Sequence, residues 1–93
     1  MSEEQGAPEE RPVGQVTHYF GKVGVAAVQL SDALSVGERI HFQGHTTDFV
    51  ADIDSMQIEH EAVDQAHSGD SVGIKVPTKV RPGDMVYRVT ASL

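Results

Sequence analysis

The chain contains no cysteine and no tryptophan. Without cysteine there is no disulfide framework and no thiolate zinc site, so 93 residues must hold together by burial and backbone pairing alone. Aromatic residues make up only 5% of the chain, which leaves little material for the base-stacking platform of a single-stranded nucleic-acid binder. No apolar run approaches the roughly 20 residues of a membrane-crossing helix. The opening residues, MSEEQGAPEERP, lack the apolar core of a signal peptide. Cations are scarce as well, with seven Lys and Arg against fourteen Asp and Glu and a net charge of −7. An acidic chain repels phosphate backbones. These absences lead to the expectation of a cytoplasmic protein with no membrane partner.

What is present is period-two alternation. Residues 1–12 carry four Glu, two Pro and no large apolar side chain, and are expected to form a disordered acidic tail. Residues 13–93 then read as one domain, the size a chain of this length allows. "PVGQVTHYF" places Val16, His18 and Phe20 on one face and Gln15, Thr17 and Tyr19 on the other. In "VAAVQL" the apolar phase slips, which predicts a bulge there. "ERIHFQ" turns Ile40 and Phe42 inward. "TTDFVADIDSMQIEH" changes parity near Asp54–Ser55, which predicts a bend. "EAVDQAHSGD" holds the one hint of helical spacing, at most a single turn. "SVGIKV" and "MVYRVTASL" close the series, with the "RPGD" turn between them. Short strands, turn signals every 8–12 residues and no long helix predict an all-β protein, a small closed β-barrel of six or seven strands.

The punctuation of these strands carries a family resemblance. "IDSMQIEH", with Ser55, Met56, Gln57 and His60, leads through an Ala-containing turn to "SGDSVG", with Gly69, Asp70, Val72 and Gly73. "RPGDMV" follows, with Arg81, Gly83, Asp84 and Val86, and "LSVGERIHF" precedes, with Gly37 at its turn. In this order and spacing the pieces resemble the second domain of the translation GTPases, especially elongation factors Tu and 1-alpha, over residues 13–90. The resemblance implies a β-barrel of the domain-2 type. It also implies contact with RNA or a ribosome-associated factor, since in elongation factor Tu this barrel meets the aminoacyl end of tRNA. By the chemistry of their residues, Gly37, Gly69, Asp70, Gly73, Gly83 and Asp84 have structural duties in turns and at crowded crossings.

The resemblance does not extend to nucleotide chemistry. Lys22 follows Gly21, but Val16 stands where the first glycine of a phosphate loop belongs and Val23 where Ser or Thr belongs. No nucleoside triphosphate site, cofactor or metal is expected. The five histidines match no zinc-ligand spacing, and Ser55, Ser68 and Ser71 lack the setting of a nucleophile. No enzymatic activity is expected. Candidate RNA- or partner-binding residues are the basic cluster Lys75, Lys79, Arg81 and Arg88, together with Tyr19 and His60, although solvated strand ends and turns are the simpler account of the cluster. The phenylalanines fit core positions, and Tyr19 fits the surface. Two functions stay open. One is a non-catalytic binding module of the translation machinery. The other is a protein-interaction domain acting in trans on an enzyme, similar to the appended domains of collagenase-like peptidases and unrelated to translation.

Overall fold

A computed structural model describes residues 9–90. The alternating segments form ten strands, and no helix occurs among the described residues. In chain order they are β1 (Glu9–Phe20), β2 (Val25–Leu30), β3 (Leu34–Ser35), β4 (Arg39–Gln43), β5 (Asp48–Asp52), β6 (Met56–Ile58), β7 (Glu61–Val63), β8 (Gln65–Ala66), β9 (Ser71–Lys75) and β10 (Met85–Thr90). Eight of them make one antiparallel sheet in the order β5-β4-β10-β1-β2-β9-β6-β7, with β3 and β8 paired separately. The order ends at β5 and β7, which do not pair with each other. The protein is therefore all-β, but strand pairing does not close the expected six- or seven-stranded barrel.

One core serves the whole sheet. Val13 and Val16 of β1, Ala26, Val28 and Leu30 of β2, Ile40 and Phe42 of β4, Val72 and Ile74 of β9 and Val86 of β10 are all buried in a single cluster. β-Branched residues dominate it, as suits a pleated, half-buried surface. Each buried aliphatic side chain contributes about 1.5–3 kcal/mol relative to exposure, so the inward row of every strand matters in a chain this short.

Several details depart from the alternation. β1 begins at Glu9, inside the expected tail, and pairs Glu9 and Glu10 with Thr90 and Val89. The remainder of that tail, residues 1–8, lies outside the described residues. The predicted bulge falls on β1 rather than on β2. Its register slips between Pro12 and Gly14 against β10 and between Val16 and His18 against β2. An extra residue at Thr17 inverts the parity beyond it. Tyr19 consequently packs against the core, whereas Phe20 is 51% exposed and stacks on His18 at 6.0 Å. Both assignments reverse those drawn from strict alternation. The expected helical turn is absent too: residues 61–66 form β7 and β8, and β6 and β7 make a tight hairpin with Ile58 opposite Glu61.

Three turns share one design, and each feeds directly into a strand. They are Ser35–Glu38 before β4, His67–Asp70 before β9 and Arg81–Asp84 before β10. In each the third residue is glycine, at φ of 96°, 93° and 97° for Gly37, Gly69 and Gly83, a region that favours glycine. Each glycine N–H donates to a neighbouring segment, at Ile53 (2.9 Å), Leu30 (2.9 Å) and Val16 (2.7 Å). Those residues donate back to the carbonyls of Glu38, Asp70 and Asp84 at 2.9, 2.8 and 2.8 Å. The acidic side chain then accepts the N–H of the turn's first residue, Ser35, His67 or Arg81, at 2.9 Å every time. The Gly-Asp and Gly-Glu pairs thus stitch loops onto neighbouring backbone.

Candidate functional site

The outer face of the β2–β9–β6 part of the sheet carries the main hollow. Register places Ala27 of β2, Gly73 of β9 and Gln57 of β6 in one row across three strands. Gly73 has no side chain and Ala27 only a methyl, so this row is the floor of a trough. A Cβ at Gly73 would stand 3.1 Å from Val25 Cγ1, so the bare backbone there accommodates its neighbour. Val25 and Lys75, paired with each other, form the adjacent row. Phe20, Lys22 and Val23, at the loop joining β1 to β2, wall one side, and Glu59 and His60, at the tip of the β6–β7 hairpin, wall the other. The groove encloses about 930 Å³. Phe20 and Val23 are 51% and 57% exposed, the most exposed large apolar side chains among the described residues.

The hairpin tip is conformationally unusual. Glu59 and His60 have φ of 52° and 68°. Two consecutive left-handed residues define a type I′ turn, a position that favours Asn-Gly because ordinary side chains are strained there. The sequence instead keeps a carboxyl and an imidazole at the groove edge.

The predicted site residues separate in space. Lys75 and His60 line the groove. Lys79 and Arg81 line a second hollow with Thr46, Thr47, Asp48 and Phe49, beside the β4–β5 turn. Tyr19 packs on the core. Arg88 is half-buried, with Nη2 donating to the Ala33 carbonyl and Nη1 3.7 Å from Asp32 Oδ2. Its Nε lies 3.4 Å from Glu38 Oε2, close enough for charge attraction though not aligned for a hydrogen bond. The stretch that reads as one basic cluster therefore serves three places. Alternation missed Phe20, Lys22, Val23 and Ala27, because the groove is defined by a bulge and by small outward side chains.

Elsewhere the charges are committed to each other. Arg39 and Asp52 pair at 2.8 Å across β4 and β5, which raises the guanidinium and lowers the carboxyl from their ordinary values. His41 bridges two carboxylates, with Nε2 2.6 Å from Asp48 and Nδ1 2.9 Å from Glu10. Carboxylates only accept, so both contacts are hydrogen bonds only when the ring is doubly protonated. The bond to Asp48, then that to Glu10, holds His41 above the usual histidine range against the opposing effect of burial. Among the described residues no three His, Asp or Glu side chains are placed to hold a metal, and no serine hydroxyl is hydrogen-bonded to a histidine.

A domain of known structure is similar in fold to this sheet. It is the C-terminal domain of a Geobacillus thermoleovorans protein assigned to the U32 peptidases. Two crystal structures of that domain superpose with TM-scores of 0.78 and 0.77 at 26% identity, covering 82% of this chain and 96% and 89% of theirs. Curated relatives agree. The chain is 41% identical over 76 residues to an uncharacterized protease of Methanocaldococcus jannaschii and 35% identical over 78 residues to a collagenase of Porphyromonas gingivalis. It spans only about a fifth of their length, 19% and 22%. No family model matches the chain.

These findings overturn the translation-factor resemblance. The motifs that carried it, around Gly37, Gly69–Asp70 and Gly83–Asp84, are the stitched turns, whose glycines and acids are engaged in backbone hydrogen bonds. The expectation of no enzymatic activity is corrected as well, since the relatives are named a protease and collagenases. No helix of the described residues is long and apolar enough to cross a membrane.

Proposed function

We propose that this chain is an accessory, protein-binding β-domain of a U32-type peptidase, its sheet curled barrel-fashion around one core and its outer face turned to the peptidase body. One observation carries the reading. The chain covers nearly the whole of a peptidase C-terminal domain, 96% of it, and only a fifth of the length of a curated protease relative. The charge pattern supports it against RNA. The net charge is −7, and Lys75, Lys79, Arg81 and Arg88 are dispersed over two hollows and one ion network, so they do not line up as one basic track for a phosphate backbone.

The test is affinity capture of the full chain from native lysate of its source cells, with and without ribonuclease, read by mass spectrometry. A U32-type peptidase retained in stoichiometric amount after nuclease treatment is the expected result. Recovery of ribosomal proteins or tRNA-binding factors that nuclease removes would overturn the reading.

A further inference from the structure

We infer that the groove across Ala27, Gly73 and Gln57 is the docking site of an extended polypeptide segment in which an apolar side chain is flanked by carboxylates. This rests on the accessory-domain reading and specifies which surface of the domain is used and what chemistry it takes.

The apolar part follows from exposure. Phe20 and Val23 stand at the rim, 51% and 57% exposed, above a floor of Ala27 and Gly73. The Thr17 bulge is what turns Phe20 outward; without it the ring would be part of the core. A small domain that turns an available aromatic ring away from its core exposes apolar surface that covering by a partner would bury. The floor has room for one aliphatic side chain because the row across β2 and β9 carries a methyl and a hydrogen where longer side chains would fill it.

The acidic part follows from charge. In a chain of net charge −7, Arg39 meets Asp52 and Arg88 meets Asp32 and Glu38 within 4.0 Å on the β4–β10 side, whereas Lys79 and Arg81 at the second hollow have no carboxylate that close among the described residues. Lys22 and Lys75 have no such partner among the described residues, and both line the groove. Lys75 is paired in register with Val25, and both line the groove. Glu59 is the one carboxylate of the lining and sits on the opposite wall. The field across the groove is therefore polar, and an occupant's acidic groups are drawn to the Lys22–Lys75 side. The left-handed Glu59–His60 tip adds an independent sign. Strain of about 1–3 kcal/mol per such residue persists where the surroundings or a function maintain it.

The experiment titrates the isotopically labelled 93-residue chain with blocked pentapeptides, followed by amide chemical shifts. The probes are Gly-Glu-Leu-Glu-Gly, its counterpart Gly-Lys-Leu-Lys-Gly, and an oligouridine. The acidic peptide is expected at millimolar concentration to shift the amides of Val23, Val25, Gly73 and Lys75, and to bind about tenfold more tightly than the lysine peptide. The double variant Lys22→Glu/Lys75→Glu, with its remaining spectrum unchanged, is expected to reverse that preference. Equal affinity for the two peptides, shifts confined to another face, or no shifts at all would overturn the inference. The same footprint from oligouridine would reassign the groove to nucleic acid and overturn it too. The two readings fail separately. A peptidase captured from lysate by a chain that ignores these peptides would leave the accessory reading standing without this groove. Peptide binding as described without any captured peptidase would do the reverse.

Discussion

The two ends of the sheet treat charge differently. Around β4, β5 and β10 the charges carried on the strands are matched, while Lys79 and Arg81 in the loop before β10 lack a carboxylate within 4.0 Å among the described residues. Arg39 faces Asp52, His41 sits between Glu10 and Asp48, and Arg88 is held by Asp32, Glu38 and the Ala33 carbonyl. Around β2, β9 and β6 they are left open, with Lys22 and Lys75 unpaired among the described residues beside exposed Phe20 and Val23. Matched surface charges contribute little stability but fix local geometry. Unmatched ones near apolar surface are available to a partner. The difference teaches which end is committed to its own contacts and which end has charge to offer a partner.

The sharpest way to break this comparison is to ask whether the ends fold as one body. Phe42 is fully buried on β4 and stacks on Phe49 at 5.0 Å, well away from the groove. Phe42→Ala is expected to cost about 3–5 kcal/mol, most of the stability of a small domain. Chemical denaturation should show amides of β4 and of the β6–β7 hairpin losing structure at one common midpoint. Separate midpoints would mean the ends are independent units, and the contrast in charge would then describe two objects rather than two faces of one.

A smaller effect compares one device in two settings. The turn at Arg81–Asp84 has its acid buried, with Asp84 5% exposed, whereas the side chain of Asp70 in the His67–Asp70 turn is 38% exposed. Removing a buried acceptor leaves the Arg81 N–H without a partner, so Asp84→Ala should cost about 1–3 kcal/mol. Asp70→Ala should cost less, below about 1 kcal/mol, because water can replace the carboxylate. Thermal denaturation of the two variants checks the order. Equal losses would show that the turns act through their glycines alone.

The matched end also predicts a pH dependence. The folded pKa of His41 is raised by Asp48 and Glu10, so its contribution is fully present below the unfolded histidine value of about 6.5 and is lost as pH rises through the folded value. The groups facing the ring are those two carboxylates and Tyr87, tilted at 6.3 Å on β10. Midpoints of denaturation should therefore fall between pH 6 and pH 9 by an amount that His41→Gln abolishes, about 1 kcal/mol or less given the exposure of Asp48. An unchanged slope in the variant would remove His41 from the account.

The contrast between the ends also marks what could be read from residues alone. Alternation predicts the inward rows of β4 and β9, because Ile40, Phe42, Val72 and Ile74 keep strict parity, and the parity change near Asp54–Ser55 is the break between β5 and β6. Gly-Asp and Gly-Glu pairs announce the turns, since few residues can do what they do. Parity fails on β1, where the extra residue at Thr17 adds no distinctive side chain, and so Tyr19 and Phe20 exchange roles. The groove is less legible still. Its floor consists of what Ala27 and Gly73 lack, and its far wall is a type I′ turn written as Glu-His rather than Asn-Gly. The run from Lys75 to Arg88 is visible in sequence, but only the fold shows that it is divided between two hollows and an ion network.

That unusual turn supplies the smallest and most discriminating prediction. Type I′ geometry needs positive φ at both central residues, and Glu59 and His60 supply it under strain. Glu59→Asn with His60→Gly writes the preferred turn in the same place without touching the core, since both side chains are exposed. If the tip is only a connection, relief of left-handed strain, less the backbone entropy that glycine costs, should stabilise the domain by about 0.5–1 kcal/mol and change nothing else. If the tip serves the groove, the same gain in thermal midpoint should come with weaker binding of the acidic-apolar peptide, because one wall loses its side chains. Stabilisation with unchanged peptide affinity would remove the tip from the groove and leave docking to Phe20, Val23 and the two lysines. A loss of stability would show instead that Glu59 or His60 makes a contact that outweighs its backbone strain.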